Sequence, residues 1–154
     1  MSELEFIVDQ LKRSFDGEAW HGPALMEVLE DVDARTAAAR PIHAGHSIWE
    51  LVLHIAAWEQ IIARRITKRE PVMPTDEENF PHVSQTTDSA WRETVKNLRS
   101  AHEELLAAVS KLAESQLSDP VPGKDYDIRF MLTGAAQHAA YHGGQIALLK
   151  RARS

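Results

Sequence analysis

His138 and His142 stand four residues apart in QHAAYHGGQI, residues 137–146, inside a run that otherwise reads as helix. On a helix such residues lie about 40° apart and one turn removed, so their imidazoles can converge on one point. Met131, Ala135, Ile146 and Leu149 fall on the same side, which puts the pair in the middle of an apolar stripe. A buried polar group without a partner costs on the order of 1–3 kcal/mol. Two in one layer call for something that binds both, and a divalent cation does so. Their neighbours Gly134, Ala135, Ala139, Ala140, Gly143 and Gly144 are all small and leave space beside the rings. The other reading is a hydrogen-bonded histidine pair in the core, and spacing alone does not choose between the two.

A third ligand must come from another helix. His54 lies toward one edge of a stripe formed by Leu51, Ile55, Trp58 and Ile62, near the middle of its helix. His102 competes with it from the apolar face of a further helix, as a fourth ligand, a hydrogen-bond partner of a ligand or a core residue, with the last two favoured. His21 precedes Pro23 in a loop, where it edges a pocket or faces water. His43, His46 and His82 sit in polar loops and read as solvated. Trp20, Trp49 and Trp58 read first as packing residues, and Trp58, one turn from His54, also as a pocket wall. Tyr141 and Gln145 flank the pair and either orient ligands or substrate or are structural. Glu59 is on the same helix as His54 but about 140° around it, so it is no obvious general base for that site. No helix stripe carries the E-x-x-H of paired-carboxylate metal sites.

These side chains need helices to hold them. Apolar periodicity predicts four long ones, over roughly 3–16, 47–68, 88–113 and 127–152. Ser47 and Glu50 form a capping box at the start of the second, and Asp88 is the expected cap of the third. Pro23 suits a first helical position, after which Leu25, Leu29 and Val32 restart a stripe. Residues 33–46, 69–87 and 114–126 are rich in Pro, Gly and polar residues, and Asp76-Glu77-Glu78 reads as a solvated loop. No stretch reads as a strand. The expectation is an all-α fold, a four-helix bundle forming one domain over residues 1–154. The connection 69–87 is too long for a tight hairpin, so it is expected to cross over along the bundle, with the second and third helices parallel.

Composition excludes several classes. The formal charge is −6 and no Lys/Arg block could track phosphates, so nucleic acid is not an expected partner. Cysteine is absent, which removes disulfides, thiolate ligands and a thiol nucleophile. Acids near the N-terminus do not fit a signal peptide, and no apolar run approaches a membrane span. A cytoplasmic protein is expected.

Three segments in order, GEAWHGPAL, HSIWELVLHIAAWE and QHAAYHGGQIALLK, resemble the DinB/YfiT-like superfamily and span most of residues 17–150. The resemblance implies a four-helix bundle of up-down-down-up order. It also implies a divalent metal held by one histidine of the second helix and two of the last, here His54, His138 and His142. Relatives include thiol-dependent transferases and isomerases, so the resemblance implies a metal-dependent hydrolase or thiol S-transferase. It would act on a small-molecule substrate such as a low-molecular-weight thiol, and would form a homodimer. Imidazole ligands suit zinc or nickel, and also iron or copper. Rival readings are a non-catalytic metal-binding or stress-associated bundle and a metal-free helical binding module.

Overall fold

The first helix, α1 (Glu3–Asp16), opens on a reciprocal cap: the Ser2 hydroxyl accepts from the Glu5 amide and the Glu5 carboxylate accepts from the Ser2 amide. In the computed structural model, which describes residues 1–153, that device recurs at Ser47 and Glu50 to start α4 (Ile48–Lys68). Thr87, rather than the expected Asp88, caps α6 (Asp88–Val109), its hydroxyl accepting from the Ala90 amide at 3.2 Å. Asp127 starts α7 (Ile128–Arg153) by accepting from the Phe130 amide at 2.8 Å.

The connections are not plain loops. They hold α2 (Leu25–Leu29), α3 (Ala34–Ala38), α5 (Asp76–Asn79) and a 3-10 turn over Glu114–Ser118. The described residues thus form seven α-helices, and the four-helix bundle read from the sequence is corrected to an all-α fold packed around α4. The physical reason lies in local caps and buried anchors. Asp33 caps α3 by accepting from Thr36, and Thr75 and Glu78 form a capping box on α5. Leu25, Met26, Val28 and Leu29 of α2 are all buried, as are Ala34 and Ala37 of α3. Burying these short helices completes a layer that long helices alone would leave open. The acidic run read as a solvated loop is the first turn of α5, and its residues are exposed.

Two apolar clusters result. One joins α2 and α3 to Ile48, Leu51, Val52 and Ile55 of α4, Leu98 of α6, and Ile146 and Leu149 of α7. The other joins Ile7 and Leu11 of α1 to Ile62 and Ile66 of α4, Leu105 and Val109 of α6, and Met131 and Leu132 of α7. Between Ile55 and Ile62 on α4, and between Leu98 and Leu105 on α6, lie the buried polar residues Glu59 and His102. His138 and His142 fall in the corresponding gap on α7, before Ile146. The site is therefore a polar belt between two apolar halves.

Two pairings show that α4 and α6 run in the same direction: Trp49 donates to Thr94 at 3.0 Å, and further along both helices Glu59 meets His102. Residues 69–87 must therefore travel back along the molecule, and α5 lies on α4 as they do so. The one isolated β-bridge among the described residues joins Pro120 to Asp127. No helix among the described residues is long and apolar enough to cross a membrane.

Candidate metal centre

α4 and α7 run in opposite directions past each other, which brings His54 of one against His138 and His142 of the other. The Nε2 atom of His138 is 3.0 Å from Nε2 of His54 and 3.0 Å from Nε2 of His142. One ring nitrogen from each of the three lies within 4.8 Å of the others. Two ligands each about 2.0–2.1 Å from one ion can stand up to about 4.2 Å apart, so the two 3.0 Å separations suit a shared cation. His54 and His142 are buried and His138 is partly so.

The other ring nitrogens decide how these atoms present themselves. His54 Nδ1 is 2.6 Å from the Asn79 carbonyl oxygen, which can only accept, so Nδ1 carries the proton and Nε2 a lone pair. His142 Nδ1 likewise donates to Gln145 Oε1 at 2.6 Å, leaving its Nε2 as a lone pair. Both lone pairs face one atom of His138, which carries at most one proton and can satisfy only one of them. A cation at the centre would satisfy all three, and the donor set fits one.

Electrostatics point the same way. Burial, reinforced by His142 and His54, pushes His138 down from 6.5 to about 3. Burial also lowers His54, with the Asn79 carbonyl opposing it and His142 and His46 adding to it. It lowers His142 too, against the Gln145 hydrogen bond and with His46 adding to it. All three imidazoles are thus neutral near pH 7, the form that binds metal.

The crossover packs on this cluster. Phe80 stacks on His54 with ring centroids 4.1 Å apart, and His46 stacks on Phe80 at 4.0 Å, so the phenyl ring sits between two imidazoles. Trp58 Nε1 donates to Asn79 Oδ1 at 2.7 Å, and the indole presents an edge-on contact to His54 and to His138. Tyr141, 66% exposed, meets His142 edge-on at 5.0 Å.

Trp58, Tyr141 and Gln145 therefore border the cluster, whereas two other sequence candidates do not join it. His102 lies on Glu59, Nδ1 to Oε1 at 3.1 Å, and stacks on Phe15 with centroids 3.7 Å apart. Burial holds the Glu59 carboxyl above its usual range, against the pull of His102, and its Oε2 has no partner. His21 is exposed in a groove between α1 and α7, beside Trp20 and Ala140. Asn79, Phe80 and the stacked position of His46 escape a reading of the sequence, because each depends on where the crossover lands.

An all-α protein with a three-imidazole cluster able to coordinate a metal ion is the class that fold and site define. Residues 19–146 match the sequence profile of the DinB superfamily, and the chain belongs to it. Neither a curated protein nor a solved structure is a match.

Proposed function

We propose that this chain is a metal-dependent enzyme, with His54, His138 and His142 binding a divalent ion through Nε2 and the reaction being hydrolysis or thiol S-transfer on a small molecule. The observation that carries the proposal is the convergence of two tautomer-fixed lone pairs on a single His138 nitrogen. Zinc or nickel fits a set of imidazoles, as do iron and copper. When bound, such an ion would acidify a water or a thiol or polarise a carbonyl. The chain's own residues do the rest. Asn79 and Gln145 hold two rings in one tautomer, Phe80 shields one face of His54, and Trp58 lines the edge of the cluster. Tyr141, exposed beside His142, offers a hydroxyl to a molecule arriving from solvent.

The core supports a use of the ion other than a structural one. The two apolar clusters draw on every long helix without involving the histidines, so the fold does not depend on metal as a coreless zinc domain does. The experiment is metal analysis of protein purified without nickel resin, followed by chelation and far-UV circular dichroism. Bound divalent metal, lost on chelation with helicity retained, is expected, and His138→Ala should bind none. A chelated protein that unfolds would mark the ion as structural. Turnover of thioester, amide and thiol-acceptor substrates by the reloaded protein then separates an enzyme from a metal-binding bundle that acts by association.

A further inference from the structure

The crossover does more than cover the cluster. It is tied down at two points by α4 itself. Arg65, 2% exposed, donates from Nε at 3.2 Å and from Nη2 at 2.9 Å to the Val72 carbonyl. Its guanidinium also lies over the Trp58 ring at 5.5 Å from the centroid. Two helical turns further back, Trp58 takes the Asn79 side chain by its indole N–H. The Asn79 backbone carbonyl then reaches His54. One residue thus makes two bonds with different consequences: its amide oxygen fixes where the α5 turn sits, and its carbonyl fixes which nitrogen of His54 carries the proton.

We propose that Asn79, pinned by Trp58, is a positioning residue that sets the His54 tautomer and so presents the Nε2 lone pair to the cluster. It touches no substrate. Its role rests on the metal-binding reading only for the consequence in affinity, since the tautomer is a property of the metal-free protein. Without the Asn79–Trp58 bond the turn after Thr75 keeps only an exposed Arg64–Glu78 ion pair at 3.6 Å, the stacking of Phe80 on His54 and the His54–Asn79 contact itself to hold it to α4. The carbonyl then drifts, and the imidazole becomes free to place its proton on Nε2, the atom that must be bare to bind. A hydrogen-bond partner of this kind typically contributes about 10- to 100-fold in metal affinity.

The test compares wild type, Asn79→Ala, Trp58→Phe and the double variant. It measures zinc(II) affinity by competition with a chelator, and the tautomers of the metal-free histidines by long-range nitrogen–proton NMR. Wild type is expected to show His54 wholly in the Nδ1–H form. Each single variant should show a mixture and lose roughly tenfold in affinity. The double variant should lose no more than the worse single one, because both remove the same bond. Unchanged His54 tautomer and affinity in Asn79→Ala, or additive losses in the double variant, would overturn the assignment. If Asn79→Ala fails to fold, Trp58→Phe decides the question by the same two readouts. If wild type takes up none of zinc(II), nickel(II), iron(II) and copper(II), the metal reading fails, and the tautomer comparison still tests Asn79.

Discussion

The three clustered histidines have a cost that depends on pH. A histidine whose folded pKa lies below 6.5 binds its proton less readily in the folded chain than in the unfolded one. As pH falls below 6.5 the unfolded chain takes up the proton first, and stability is lost across the window from there down to about 3 for His138. His54 and His142 are shifted in the same direction. Glu59 opposes them, because its raised pKa favours the folded state as pH falls. The net slope therefore mixes signs, and the comparison of variants isolates the histidine part. Metal-free His138→Ala is expected to lose less melting temperature than metal-free wild type between pH 7 and pH 5. Equal slopes in the two thermal melts would show that the cluster is not the source. Saturating zinc should raise the wild-type melting temperature near pH 7 and steepen its fall toward pH 5, since an ion that binds only deprotonated rings keeps protons off the folded state while the unfolded chain still takes them up.

The pairing of α4 with α6 rests on polar contacts inside an apolar seam, Trp49 with Thr94 and Glu59 with His102. Glu59→Ala should destabilise by about 1–3 kcal/mol, because it leaves His102 buried against Phe15 without its partner. Replacing both by leucine should recover most of the loss, and neither change should alter zinc affinity. Urea unfolding with parallel metal titration checks both statements, and weaker zinc binding in Glu59→Ala would draw His102 back toward the ligand set. This pair was not legible from the chain alone. Glu59 and His54 share a helix but face about 140° apart, so only the position of α6 reveals what Glu59 meets. The histidine trio was easier to read, since i, i+4 spacing is local and the third imidazole lay mid-helix on a neighbouring stripe. The short helices show a different failure. Thr75 and Glu78 carry the same capping signal as Ser47 and Glu50, but α5 has no buried residue to advertise it, and the apolar pattern outweighed the cap. Asn79 and Phe80 inherit their roles from that overlooked turn.

The outer surface has its own asymmetry. Phe130, Tyr141 and Leu148 are 66%, 66% and 61% exposed. They fall within about 20° of one another around α7. Phe6, on the adjoining α1, is 54% exposed, and Trp20 is fully so. We propose a homodimer, given how common twofold pairing is, that covers Leu148 while leaving the Tyr141 hydroxyl open to solvent. Light scattering should give twice the 17.3 kDa chain mass at micromolar concentration, and Leu148→Glu should shift it toward one chain. A single-chain mass over a wide concentration range would count against the pairing. Distance along the chain has a further consequence. His54 and His138 are 84 positions apart, and the crossover that fixes His54 lies between them. During synthesis α4 leaves the ribosome while the residues of α7 are still unmade. A nascent chain therefore has a lone imidazole on α4 and nothing to complete the set. An ion bound by all three could be captured only after the last helix docks, so loading with metal would be a late event that distinguishes finished molecules from unfinished ones.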